Sequence, residues 1–175
     1  VFLMEYRLGV ALGLAAGIGA GVLFIVLLFK KRILSCAFDE RQERARGVAF
    51  KYGFFALMFA IILYGMLDMV LGRWCDAMAG ASLCLCVGIT VFAVTCILKD
   101  AYLSLRENPR YIMTLFVVMS AVNIAFGAVH ILDGDMVENG ILTFRCTNLV
   151  VGLMTTVVLV VYLVNFLLRS REEAE

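Results

Sequence analysis

Residues 8–29 read LGVALGLAAGIGAGVLFIVLLF, and Lys30-Lys31-Arg32 follow at once. A helix needs about 20 apolar residues to cross a hydrocarbon layer about 30 Å thick. This uncharged stretch therefore predicts a membrane span that halts at a basic cluster. It is too long for the apolar region of a signal peptide, and the basic cluster reads as a stop-transfer signal, so the span is expected to be retained. Four further stretches meet the same length criterion: 54–71, 79–98, 111–132 and 147–168. Between them the chain offers only short polar connections, the longest running from Lys30 to Lys51, and no stretch suited to a soluble domain.

Composition agrees with the span count. The 175 residues are 63% hydrophobic and 17% charged, against about 25% charged in a soluble domain, and mean hydropathy is +0.99. A single proline and long apolar runs favour helices over barrel strands, whose signature is about ten residues of alternation. The expectation is one all-α integral membrane domain over 1–175, with five transmembrane helices. A net charge of +1 argues against nucleic acid as a partner, because phosphate binding needs a clustered basic surface.

Lys and Arg in short loops set orientation. With the first loop in the cytoplasm, all of the 15 Lys and Arg side chains except Arg7, Arg73 and Arg145 fall inside. The N-terminus is then outside and the C-terminus inside.

Gly9, Gly13, Gly17 and Gly21 recur every four residues and line one face of the first span. Such a glycine zipper lets another backbone approach closely. It suits packing against a helix of the same chain, a second copy, or a partner subunit.

The first loop places Asp39 and Gln42 at the spacing of a helix N-cap and its reciprocal partner. A helix beginning in this loop, near Arg44, runs into the second span, with Glu40 and Arg44 paired at i,i+4. Asp39, Glu40, Arg41 and Arg44 are candidates for docking a partner, beside the plainer role of a solvated helix. Lys51 and its neighbours also suit attraction to anionic lipid. The segment Asp39-Glu40-Arg41-Gln42, with Arg46-Gly47, Ala49-Phe50 and Lys51-Tyr52-Gly53-Phe54, resembles one in small uncharacterised bacterial multi-pass membrane proteins. The resemblance covers under a tenth of the chain. It implies a bacterial inner membrane and carries no activity with it.

Asn108-Pro109 marks a helix start, with asparagine as N-cap and proline at the first helical position. A shift of 62 residues aligns Tyr64-Gly65 with Phe126-Gly127, Asp68 with His130, Gly72 with Gly134, and Cys84 with Cys146. The second and third spans would then repeat as the fourth and fifth, in parallel about an axis along the membrane normal. Under that alignment Asp68 and His130 sit at matching outer depth, with Arg145 and Asn148 nearby. An ionisable group inside a span is costly and is usually paired or functional. These four residues are the candidates for an ion or ligand site, or for an Asp68–Arg145 or Asp68–His130 pair that only pins helices together. His130, Asp133 and Asp135, with Glu138, form a weaker candidate metal set, being mostly carboxylates on a short loop. Cys75 and Cys146 share the outer side, where a disulfide is chemically allowed; Cys84 and Cys86 form no known redox motif.

No nucleophile–base pair, HExxH, P-loop or GxSxG pattern appears. The chain is therefore expected to be a non-enzyme without cofactor. Two functions remain: a small membrane protein acting through helix association, as homo-oligomer or accessory subunit, or a compact transporter or channel with an outward polar site at Asp68 and His130.

Overall fold

The computed structural model describes residues 38–104 and 107–172, with residues 9, 12, 13, 15–17, 19–23, 26 and 27 of the N-terminal part. The chain divides into two units, Val1–Ala37 and Phe38–Glu175. In the first unit every described residue is helical, and this stretch, within 9–27, is α1. Gly9, Gly13, Gly17 and Gly21 all fall at helical positions. Among the described residues of their own unit, a Cβ added to any of them meets no atom within 4 Å.

The second unit contains α2 (Glu40–Leu71), α3 (Ala77–Leu98), α4 (Pro109–Leu132), a two-stranded hairpin of β1 (Val137–Glu138) and β2 (Ile141–Leu142), and α5 (Cys146–Glu172). Each of α2 to α5 is long and apolar enough to cross a membrane. The first expected span, 8–29, lies partly outside the described residues.

Helix α2 begins at Glu40, four residues before Arg44 and directly after the expected N-cap Asp39. The cause is a closed capping box: the Gln42 amide donates to Asp39 Oδ1 at 2.6 Å, and the Asp39 amide donates to Gln42 Oε1 at 3.3 Å. At 1.5 Å per residue, its 32 residues reach about 48 Å, well beyond the hydrocarbon thickness. At α4, Asn108 caps as expected, its side chain accepting from the Arg110 amide at 3.0 Å with Pro109 at the first helical position.

Within this unit the helices form a row in the order α2, α3, α5, α4, so α2 and α4 are its edges. Glycine sets the spacing within each pair. A Cβ on Gly53 would stand 3.0 Å from the Gly88 carbonyl oxygen, and one on Gly88 would stand 3.2 Å from that of Gly53. In the other pair, a Cβ on Gly127 would lie 2.9 Å from Leu149 Cα, and one on Gly152 would lie 2.9 Å from the Ile124 nitrogen. These close approaches had no periodic signature in the sequence.

At the 62-residue shift the ends of α2 and α4 agree, Gly72 and Gly134 both taking positive φ, but the packing and the second helices do not match. Gly127 is pressed onto Leu149, whereas Gly65, its proposed counterpart, faces open space. Cys84 lies well inside α3, whereas Cys146 is the first residue of α5. The longer connection between α4 and α5 displaces the register.

Polar side chains within the helices are mostly spent locally. Thr90 and Thr95 donate to carbonyls one turn back, at 2.6 and 2.7 Å. Between α4 and α5, Ser120 and Thr156 share a hydrogen bond of 2.6 Å.

Candidate functional site

The polar chemistry gathers where the connections 72–76 and 133–145 meet. Asn139 and Gly140 both take positive φ, at 53° and 77°, the signature of a two-residue type I′ turn. That turn pairs β1 with β2, matching Val137 to Leu142 and Glu138 to Ile141. Leu142 then bridges to the other connection: its amide donates to Trp74 O at 2.9 Å, and the Asp76 amide donates to Leu142 O at 2.8 Å.

Folding the connection back in this way brings Asp135 between His130 and Arg145. One carboxylate oxygen meets His130 Nδ1 at 3.0 Å, and the other accepts from Arg145 Nη1. The backbone behind them is fixed by Thr143 Oγ1, which donates to the carbonyls of Asp135 and Met136, both at 3.1 Å. The Asp135 side chain is only 23% exposed, so loss of either base would leave a poorly hydrated charge.

His130, Arg145 and Asn148 line one cavity of about 340 Å3. Met78 and Phe144 supply its apolar surface, and Ser82 and Thr147, bonded to each other at 3.2 Å, supply two hydroxyls. The volume lies in the range of small-molecule sites. No hydrogen bond to the protein engages His130 Nε2 or the Asn148 amide among the described residues. The cavity therefore presents unspent hydrogen-bonding groups next to a paired cation.

Three of the four candidate ligand residues thus converge, and Asp68 does not join them. Its Oδ1 is buried without a hydrogen-bond partner, as is Trp74 Nε1. The expected Asp68–Arg145 and Asp68–His130 pairs are replaced by Asp135, which the β-turn delivers directly. The weak metal set is also not assembled. Asp133 caps the end of α4, and among the described residues no three His, Cys, Asp or Glu side chains are grouped to hold a metal ion. Asp135 was read only as a weak metal candidate. The dipeptide Asn139-Gly140 was the signal that could have placed it opposite Arg145.

Beside this cavity, Cys75 and Cys146 are free thiols, 1% and 2% exposed, packed with Ala79 in one buried cluster. Burial pushes the Cys75 thiol up to about 11, with the neighbouring Cys146 sulfur as the next cause.

At the opposite end, the charged start of α2 is largely occupied by its own chain. Gln42 Nε2 donates to Asp100 O at 2.9 Å and Leu103 O at 3.3 Å, and Arg46 donates to Ala101 O at 3.1 Å. The Arg46 guanidinium also lies 4.2 Å from the Phe38 ring centroid, within cation–π range. Arg41 approaches Asp100 at 3.9 Å, and Arg169 pairs with the same carboxylate. Of the docking candidates, Asp39 is consumed as the cap, and Glu40 and Arg44 form an exposed pair at 3.6 Å.

No family model, curated protein or solved structure matches the chain.

Proposed function

We propose that this chain is a non-catalytic multi-pass protein of the bacterial inner membrane that works through helix association, as a homo-oligomer or as an accessory subunit. The observation carrying this reading is the edge position of α2. Within its unit α2 makes its main helix contact with α3, while Phe55, Phe59, Ile62, Met66 and Met69 stand exposed among other outward apolar side chains. That spacing of three and four residues is the pattern of a helix-to-helix seam. The zipper glycines of α1 add a second surface of the kind that packs helices closely in lipid. The basic-side count supports an N-terminus outside and a C-terminus inside.

Isolation in mild detergent tests the proposal. Native mass spectrometry is expected to give a homo-oligomer or a co-purifying membrane protein, and Gly13→Leu with Gly17→Leu, or Phe55→Ala with Phe59→Ala, is expected to dissociate it. A monomer from which crosslinking in intact membranes recovers nothing sinks the reading.

The cavity at His130, Arg145 and Asn148 favours a second reading, in which the outer end binds a small polar ligand for transport or sensing. Apolar walls around a few unspent hydrogen-bonding groups are the usual make-up of such sites. Liposome flux and ligand-induced thermal shifts that are unchanged by Arg145→Gln and Asn148→Ala would remove it.

A further inference from the structure

We infer that Cys75 and Cys146, free thiols in this structure, are the pair that oxidises to a disulfide joining the two helical hairpins at their hairpin end. The two residues lie on different hairpins and share one buried cluster with Ala79. Cys75 is held in a parallel bridge with Leu142. From Leu142 the chain turns at once, with the Cys146 amide donating to Thr143 O at 3.1 Å, and this turn returns Cys146 to the strand it has just left. Hydrogen bonds on both sides of Cys75 fix the approach, because Leu142 receives the Asp76 amide and donates to Trp74 O. A disulfide needs its two Cα atoms about 4.4–6.8 Å apart with converging Cβ vectors. The observation behind the pairing is that both thiols share one buried cluster, with Cys75 bridged to Leu142 four residues before Cys146.

Among the described residues the other cysteines are placed differently. Cys84, Cys86 and Cys96 are buried within α3 itself, where no second strand is bonded beside them. With the basic loops on the cytoplasmic side, the Cys75–Cys146 end faces the compartment in which disulfides persist.

The reaction is thiol–disulfide exchange with a small or protein-borne disulfide RS–SR. Before burial, while the chain is folding and both sulfurs are accessible, the thiolate of one cysteine attacks RS–SR, forming a mixed disulfide and releasing RSH. The second thiolate displaces the remaining RS⁻, which takes up a proton. Two S–H bonds and one S–S bond are lost, one Sγ–Sγ bond and two RSH are gained, and the chain is oxidised by two electrons.

The test uses the full chain in its membrane. Membranes are prepared without reductant from cells making the chain, free thiols are blocked with N-ethylmaleimide in denaturant, and digested peptides are read by fragmentation mass spectrometry before and after reduction. The expected result is a linked peptide pair joining Cys75 to Cys146, two hydrogens lighter than the reduced pair and absent after reduction. It persists in Cys84→Ala and Cys86→Ala and disappears in Cys75→Ala and Cys146→Ala. The wild-type result stands even where a cysteine variant fails to fold. Alkylation of all six cysteines without reduction, stable glutathione adducts on either residue, or a link that uses another cysteine overturns the inference.

Discussion

The hairpins α2/α3 and α4/α5 are built on the same plan and closed in different places. In α2/α3 the backbones meet at Gly53 and Gly88, far from the connection. Nearer to it the Tyr64 ring lies over Gly80, where an added Cβ would stand only 2.5 Å from a ring carbon. In α4/α5 the backbones meet at Gly127 and Gly152, close to the connection. The first connection, 72–76, is too short to fold on itself, and Asp68 Oδ1 is left without a partner. The second, 133–145, has room for a β-turn and uses it to hand Asp135 to two bases. Where a buried charge finds its counter-charge is thus decided by the length of the connection more than by the depth of the residue in its helix.

The sharpest way to break this comparison is at the glycines. Gly127→Ala would push its Cβ against Leu149 backbone, and overpacking of that kind costs about 1–3 kcal/mol. A thermal unfolding midpoint in detergent equal to that of the parent would show that the close approach is not needed. Next is Asp135→Asn, which removes the shared carboxylate while keeping the shape. Because the site is partly exposed, screening limits the loss to about 1–2 kcal/mol. Asp68→Asn is the matched control and is expected to leave the midpoint unchanged or raised, since the lost charge has a buried oxygen with nothing bonded to it.

A smaller effect of opposite sign is expected at Gly65→Ala, the position aligned with Gly127. Its surroundings are open, so replacing a mid-helix glycine should stabilise by about 0.5–1 kcal/mol. Destabilisation equal to that of Gly127→Ala would restore the equivalence of the two hairpins. With Cys75 and Cys146 kept reduced, stability should also fall as pH rises from about 9 towards 11. The Cys75 thiol is held up to about 11, so across that interval the unfolded chain loses a proton that the folded chain keeps. Cys75→Ala should flatten this decline in a pH series of unfolding midpoints. The smallest effect belongs to Arg44→Ala, whose exposed pair with Glu40 is worth about 0.3–0.5 kcal/mol.

The helices were legible because hydropathy and caps act locally. The stretch 54–71 falls inside α2, and Asp39 and Asn108 cap as their spacing implies. The site was half legible. His130, Arg145 and Asn148 stood out as polar residues at helix ends, and they do line one cavity. Asp135 did not stand out as their partner, because its contacts depend on the turn at Asn139-Gly140 and not on its place in a hydrophobic segment. The glycine crossings were hidden for another reason: Gly53 meets Gly88 across helices, and no period within either helix records that meeting.

Asp100 carries one more consequence. It sits at a φ of 54°, a left-handed conformation that among side-chain residues Asn and Asp adopt most readily, and its carboxylate takes both Arg169 and Arg41. Glycine would ease the backbone and drop both cations, asparagine would keep the backbone and lose the charge, and glutamate would keep the charge and strain the backbone. Saturation mutagenesis at this codon should therefore return a single fully tolerated residue, although the position is neither part of the cavity nor inside a helix.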